Sequence, residues 1–170
     1  MALRLLPPVL DLRKMALTIM FWNARSLTRK TCELKKYIQE TSPLVIGICE
    51  TWLSAHISLK LPGYNIYRKD RPTKRGGGVL LAIKNTLNFS PLEIPSWQNG
   101  HLEFAAVRLK TKNSWVTIAI CYNPGGKTSI QEYEHCFSTL PSPILTMGDF
   151  NAHHSLWDPE IHFKQQSLSG

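Results

Sequence analysis

Apolar residues along the chain recur in two patterns, one typical of β-strands and one typical of α-helices. Apolar runs with β-branched or aromatic residues predict strands over residues 16–22 and 43–50. Between them, residues 28–40 have apolar positions at helical spacing, and Thr28 is the predicted cap. The residues predicted to share the apolar face of this helix are Leu34, Tyr37 and Ile38. This order of strand, helix and strand predicts the beginning of an α/β layer.

The middle of the chain is rich in short apolar runs that are separated by turn signals. Four more strands are predicted there, over residues 64–70, 77–84, 101–110 and 114–123. Residues 73–78 and 111–114 have the composition of hairpin connections. A second helix over 130–140 and a last buried strand over 142–149 follow. The pattern predicts an α/β (α+β) fold in which two sheets pack face to face with helices outside.

Length and charge limit the domain organisation and the partners. The chain has 170 residues, of which 43% are hydrophobic, which is sufficient for one domain with a real core. Pro7 and Pro8 interrupt the first apolar patch, so residues 1–14 are expected to be a loosely ordered leader and residues 15–170 the domain. The net charge of +8 favours a polyanionic partner such as nucleic acid or an acidic membrane surface, although many basic proteins bind neither.

The cysteines and the hydropathy indicate an intracellular protein. Four cysteines lie far apart without a CxxC pair, which favours small buried thiols in a reducing compartment over disulfides or a zinc site. These cysteines are Cys32, Cys49, Cys121 and Cys136. No apolar stretch approaches the roughly 18 residues that a membrane span needs. We therefore expect a nuclear or cytoplasmic location and no membrane partner.

Polar side chains follow several of the predicted strands at the point where each strand ends. They are Asn23, Glu50, Tyr122, Asp149 and Asn151. When two sheets lie side by side, such strand ends can meet at one edge. Carboxylate and amide oxygens gathered there suit Mg²⁺ or Mn²⁺.

Each of these residues also has a simpler interpretation. Asn23 is equally typical of a turn, Glu50 of a cap for the following segment, and Tyr122 of the core. Asp149 is typical of an Asx turn. Four such coincidences at strand ends favour a shared site over four unrelated explanations.

Five segments of the chain resemble the endonuclease/exonuclease/phosphatase superfamily in their order and approximate spacing. They are "FWNARSL", "ICETWLS", "GYNIYRKDRPTKRGGGVLLAIK", "ICYNP" and "GDFNAHHSLWD". In particular, the chain looks like the apurinic-type endonuclease domain of non-LTR retrotransposons from about Met15 to Trp157. The resemblance implies a four-layered α/β/β/α sandwich with its active site at the sheet edge.

The resemblance also implies a role for each strand-end residue. Glu50 would be the principal Mg²⁺ ligand, with Mn²⁺ as a substitute, and Asn23 would assist it. Asp149 and Asn151 would orient or deprotonate the attacking water and contact the scissile phosphate, to which Tyr122 would donate a hydrogen bond. The implied function is a DNA-nicking endonuclease whose 3′-hydroxyl product primes reverse transcription by a downstream reverse transcriptase domain of the same polyprotein.

The two adjacent histidines are open to several interpretations. Zinc binding by His153, His154 and Asp149 is disfavoured, because adjacent histidines point in different directions and no cysteine lies nearby. Within the resemblance, His153 and His154 line the site or order the loop, and catalysis by His154 is the alternative.

DNA contact is expected from the basic residues that precede three consecutive glycines. These residues are Arg68, Lys69, Arg71, Lys74 and Arg75, followed by Gly76, Gly77 and Gly78. Glycines let the backbone approach a phosphate chain closely. A solvated hairpin tip would have the same composition.

The chain departs from the family pattern in one respect. The family completes its site with further strands, an additional Asp and a Ser-Asp-His-like motif, and this sequence contains no such motif. We therefore expect a sandwich that is incomplete at the C-terminus, from a polyprotein fragment, a decayed copy or a truncated gene. The alternative function is a catalytically inactive remnant that binds DNA weakly. Lipid or inositol phosphatases are a third, disfavoured class.

Overall fold

The first of two β-sheets carries the N-terminal half of the fold. The computed structural model describes residues 17–72, 76–95, 100–126 and 128–152. The strands of the first sheet are β1 (Ile19–Asn23), β2 (Val45–Cys49), β3 (Tyr64–Lys69) and β4 (Val79–Lys84), in the order β1-β2-β4-β3. Strand β2 is parallel to β1 and antiparallel to β4. Helix α1 (Thr31–Thr41) makes the crossover between the parallel strands.

The second sheet repeats this arrangement. Its strands are β5 (Phe89–Leu92), β6 (Glu103–Lys110), β7 (Trp115–Tyr122) and β8 (Ile144–Asp149), in the order β5-β6-β7-β8. Strand β8 is parallel to β7, which is antiparallel to β6. Helix α2 (Ile130–Ser138) connects the two parallel strands. Each sheet therefore contains one parallel pair with a helical crossover.

Alternating side chains along the central strands pack into separate cores on the two faces of each sheet. In β2, Val45 and Cys49 face the second sheet, whereas Ile46 and Ile48 pack against the α1 side. Helix α2 covers the outer face of the second sheet, where Cys136 is buried. The order of layers is helix, sheet, sheet and helix, which confirms the predicted α/β/β/α sandwich.

The two sheets approach each other closely where β2 crosses β8. A Cβ atom built on Gly47 would lie 2.2 Å from Met147 Sδ and 3.1 Å from Ile120 Cδ1. A larger residue at position 47 would therefore force the Met147 side chain of the opposite sheet to move. This close packing brings the carboxyl ends of the parallel strands together at one rim of the sandwich.

Two predictions about helix α1 were wrong. Lys30, not Thr28, is the N-cap residue, and no side chain caps the helix there. Tyr37 is 44% exposed, and only Leu34 and Ile38 of this helix are buried. The buried stripe has a spacing of four residues, so Tyr37 lies at its solvent-facing margin.

The remaining strand predictions agree with the structure in position, but the last strand is not buried as predicted. In β8 only Met147 is buried and Ile144 is 37% exposed, because β8 lies at the edge of the second sheet as the structure describes it. One strand was also missed. Strand β5 was not predicted, because Pro91 interrupts its pattern; it lies at the edge of the second sheet, where proline is tolerated. The predicted hairpin over 111–114 closes with a hydrogen bond of 2.8 Å from Thr111 N–H to Ser114 O. Strands β3 and β4 pair as an antiparallel hairpin, although residues 73–75 between them lie outside the described ranges.

The cysteines are free thiols, as predicted, but they are not all buried. Cys49, Cys121 and Cys136 are buried, whereas Cys32 is exposed on the solvent side of α1, which corrects the expectation for that residue. In the ranges that the structure describes, neither helix has the length and apolar character to cross a membrane. The expected leader over residues 1–14 lies outside these ranges and stays a prediction.

Candidate active site

Four strand ends supply the polar groups at the rim. Asn23 ends β1 and pairs in register with Cys49, the residue before Glu50. Tyr122 ends β7 and pairs with Asp149 at the end of β8. Each parallel pair thus places two of the residues singled out from the sequence side by side.

A single amide group connects the two sheets at this rim. Asn23 Nδ2 donates a hydrogen bond of 3.0 Å to Glu50 Oε1 and one of 2.7 Å to Asp149 Oδ2. All three side chains are partly buried. The structure therefore brings Asn23, Glu50 and Asp149 together, although Asp149 follows Asn23 by 126 positions. Two carboxylates share one donor, which offsets part of their mutual repulsion.

Glu50 lies in a backbone segment that other parts of the chain hold in a left-handed conformation. Its φ is +52°, and that of Trp52 is +53°. Such angles cost about 1–3 kcal/mol each in residues other than glycine, so they persist only under external restraint. The restraints include Ser26 N–H to Glu50 O at 2.8 Å and Trp52 N–H to Gly77 O at 2.8 Å.

The Glu50 carboxylate has two further neighbours. The Trp52 indole N–H lies 3.3 Å from Glu50 Oε2. The Tyr122 hydroxyl lies close enough to the Glu50 carboxylate for its charge to act on the phenol. Burial, followed by the charge of Glu50, raises the pKa of Tyr122 to about 12, so the phenol remains a neutral donor at physiological pH. Tyr122 is a core residue, as its simpler interpretation proposed, and its hydroxyl nevertheless faces the rim.

The segment after β8 is fixed by two asparagines. Asn151 N–H donates to Asp149 Oδ1 at 3.2 Å, which is the Asx turn that the simpler interpretation of Asp149 proposed. The Asn151 side chain donates to Asn123 O at 2.7 Å, and the Asn123 side chain donates to Phe150 O at 3.0 Å. Asn151 therefore lies beside Asp149, and its side-chain amide is bonded to the backbone just after β7.

The donor set fits a hard divalent cation. Asn23 Oδ1 is buried and has no hydrogen-bond partner among the described residues. Turning the amide over would place its oxygen against the two carboxylates and give up both hydrogen bonds. An orphaned amide oxygen next to two carboxylates offers the oxygen ligands that Mg²⁺ and Mn²⁺ prefer. Within the described part of the chain, no group of three His, Cys, Asp or Glu side chains offers an alternative metal site.

Among the residues that the structure describes, each basic side chain predicted to contact DNA forms an ion pair with a carboxylate. Arg68 lies 3.3 Å from Asp70, and Lys69 lies 3.8 Å from Glu93. Arg71 forms a tight ion pair with Glu103. The predicted residues that lie outside the described ranges are Lys74, Arg75, His153 and His154.

Glu103 is a rim residue that the sequence prediction missed. It begins β6, where it pairs in register with Tyr122, and it accepts a hydrogen bond of 2.5 Å from Gly78 N–H. Burial raises the pKa of the Glu103 carboxyl, and the neighbouring Arg71 opposes that shift. The alternation of β6 contained the signal, because Glu103 shares the inward face with Ala105 and Val107.

Comparison with known proteins identifies relatives among mobile elements. The sequence profile described as "Endonuclease/Exonuclease/phosphatase family" matches residues 20–168. The RNA-directed DNA polymerase from mobile element jockey of Drosophila melanogaster is 33% identical over 144 residues, which are 83% of this chain and 15% of that protein. The jockey protein of Drosophila funebris is 28% identical over 80% of this chain and 15% of its own length. The chain thus spans about 15% of the length of these curated relatives.

Solved structures share the fold at low sequence identity. The endonuclease domain of TRAS1, described as a telomere-specific non-LTR retrotransposon, has a TM-score of 0.62 at 15% identity, covering 82% of this chain and 61% of that domain. An AP endonuclease from Archaeoglobus fulgidus has a TM-score of 0.54 at 18% identity, covering 80% of this chain and 58% of its own. These likenesses agree with the layered sandwich described above.

Proposed function

The chain belongs to the endonuclease/exonuclease/phosphatase family, and from this premise we propose that it is the DNA-nicking endonuclease module of a non-LTR retrotransposon protein. Its reaction is the hydrolysis of a phosphodiester bond with Mg²⁺ or Mn²⁺. The relatives named as RNA-directed DNA polymerases of mobile elements support this context. In a mobile-element protein of this kind, the nick leaves a 3′-hydroxyl that primes DNA synthesis by a reverse transcriptase domain of the same polyprotein.

One observation carries the proposal. A single Asn23 amide gathers the carboxylates of Glu50 and Asp149 from two different sheets and leaves its own buried oxygen without a partner. Stability alone does not favour this arrangement, because two like charges lie at one donor. Glu50 and Asn23 would hold a divalent cation beside Asp149, and its positive charge would offset the repulsion and give the amide oxygen a partner.

The residues of the rim divide the chemistry among them. A bound divalent cation supplies positive charge that stabilises the phosphate oxygens as the bond breaks. Asp149 accepts the proton of the attacking water, and Asn151 beside it orients that water. Tyr122 donates a hydrogen bond from its hydroxyl to a phosphate oxygen and keeps its proton, because its raised pKa holds the phenol neutral. Asn23 keeps the carboxylates in place without adding charge.

The test is nicking of supercoiled plasmid DNA in Mg²⁺, with EDTA as the negative condition. Glu50→Gln and Asp149→Asn should each abolish relaxation of the plasmid while circular dichroism shows an unchanged fold. Glu93→Gln is the matched control, because Glu93 is also a rim-side carboxylate in an ion pair but is 84% exposed.

The outcomes separate the two functions under consideration. Nicking that depends on Mg²⁺ and on Glu50 supports the endonuclease. A folded protein that binds Mn²⁺ without nicking corresponds to the catalytically inactive remnant, whose remaining property is weak DNA binding by a basic surface. A folded protein that neither nicks DNA nor binds the cation contradicts the proposal.

A further inference from the structure

We propose that Glu103 is a positioning residue for Glu50, acting through Arg71, the backbone of Gly77 and Gly78, and Trp52. The inference rests on the proposed function in one respect, which is that Glu50 is the carboxylate that holds the cation. Arg71, predicted from the sequence to contact DNA, serves in this arrangement to hold the loop beneath the site.

The chain of contacts begins at the Glu103 carboxylate, which uses both of its oxygens. Oε1 accepts a hydrogen bond from Arg71 Nε, and Oε2 accepts one of 2.5 Å from Gly78 N–H. The Glu103 side chain is 15% exposed and that of Arg71 is 24% exposed, so solvent weakens the pair little. Glu103 thereby connects the start of β6 in the second sheet to the loop before β4 in the first.

The next contacts run along the backbone from the glycines to the site. Gly78 O accepts a hydrogen bond of 3.2 Å from Thr51 N–H, and Gly77 O accepts one of 2.8 Å from Trp52 N–H. The Trp52 indole then donates to Glu50 Oε2 at 3.3 Å. Since Glu50 and Trp52 both have positive φ, their segment depends on these carbonyls for its conformation.

The packing around Glu103 explains why residues 77 and 78 are glycines. A Cβ atom on Gly77 would lie 2.3 Å from Glu103 Oε1 and 2.5 Å from Arg71 Cζ. A Cβ atom on Gly78 would lie 2.4 Å from Thr51 Oγ1. Both residues also have positive φ, of +67° and +84°. The close approach that glycine permits here is to Glu103, Arg71 and Thr51 within the protein.

Glu103→Gln tests the inference, because it retains the size of the side chain but replaces one acceptor oxygen with an amide NH₂ group, which donates and cannot accept. We expect kcat for plasmid nicking and the affinity for Mn²⁺ each to fall about 10- to 100-fold, as typically follows when the support of a metal ligand is removed. KM for DNA should stay within twofold, because Glu103 is enclosed by the protein. The ¹H–¹⁵N signal of the Trp52 indole, assigned with Trp52→Phe, should move.

Two further variants make the test specific. Arg71→Lys keeps the positive charge but lacks the guanidinium fork, so it should move the Trp52 indole signal in the same way and lower Mn²⁺ affinity. It also serves as the test if Glu103→Gln does not fold. Glu93→Gln removes another carboxylate that pairs with a neighbouring cation, Lys69, and should leave kcat, the Mn²⁺ affinity and the Trp52 signal unchanged.

If Glu103 has a purely structural role, Glu103→Gln should lower the unfolding temperature but leave the Trp52 signal, the Mn²⁺ affinity and kcat at the parent values. That result overturns the inference. Failure of the proposed function is distinguishable from this result. If the parent chain does not nick DNA but Glu103→Gln still shifts the Trp52 signal and weakens Mn²⁺ binding, the positioning role stands and the nuclease proposal fails.

Discussion

Replacing Asn23 with Asp is the sharpest test of the geometry at the rim, because it changes one NH₂ group into an oxygen. The substitution removes both hydrogen bonds from Nδ2, those to Glu50 and to Asp149. Hydrogen bonds to charged groups contribute about 1.5–3 kcal/mol each, so their loss amounts to roughly 3–6 kcal/mol. The new carboxylate also lies beside two others, which adds repulsion until it takes up a proton.

This loss is large relative to the stability of a typical domain, which is about 5–15 kcal/mol. Urea unfolding in EDTA at pH 7.5, followed by tryptophan fluorescence, should therefore show a free energy of unfolding that is lower by about 3–6 kcal/mol. Asn65→Asp is the matched control, because Asn65 is exposed on β3 and its replacement should change stability by less than about 0.5 kcal/mol.

The deficit of Asn23→Asp should also depend on pH. Two neighbouring carboxylates raise the pKa of the introduced carboxyl in the folded state above its unfolded value. The penalty is therefore complete above the raised pKa, and it shrinks as the pH falls through that value and the protonated group becomes a donor again. A deficit below about 1 kcal/mol at pH 7.5, or one that does not shrink at pH 5.5, would refute the bridging role of the amide.

Two other predictions follow from the packing. Gly47→Ala places a Cβ atom 2.2 Å from Met147 Sδ, and since overpacking costs about 1–3 kcal/mol, the unfolding temperature should fall by several degrees; an unchanged temperature would contradict the close contact of the sheets. Iodoacetamide at pH 8 should label the exposed Cys32 first. Burial raises the pKa of Cys49 to about 12 and that of Cys136 to about 11, so both stay protonated at pH 8 and react only on unfolding; rapid labelling of either, read by mass spectrometry, would disprove their burial.

Much of the fold could be predicted from the sequence because its cores follow simple periods. The continuous apolar run of β2 has a partner layer on each face, since Val45 packs against the second sheet and Ile46 against the α1 side. Strand β5 escaped prediction because Pro91 looks like a break, and its pairing with β6 depends on residues more than ten positions away. Tyr37 was assigned to the buried face of α1 because spacing alone does not define where a buried stripe ends.

The candidate site was partly predictable for a related reason. Strand ends are visible in a sequence, and the rule that parallel neighbours end at one rim is enough to place Asn23 beside Glu50 and Tyr122 beside Asp149. The packing of the two sheets, which brings Asp149 to Asn23, is not visible in local sequence. Glu103 was missed because it begins a strand, and its partner Arg71 lies 32 positions earlier. Local composition grouped Arg71 with the surface cations, and only the tertiary fold shows its acidic partner.

Binding of Mn²⁺, measured by titration with electron paramagnetic resonance, tests most directly whether the rim holds a divalent cation. We predict that the parent chain binds Mn²⁺ and that Mg²⁺ competes for the same site. Glu50→Gln and Asn23→Leu should each weaken the binding by at least about tenfold, whereas Glu93→Gln should not. A folded parent chain that binds no Mn²⁺, or that binds it equally well after Glu50→Gln, would show that the rim does not hold a divalent cation.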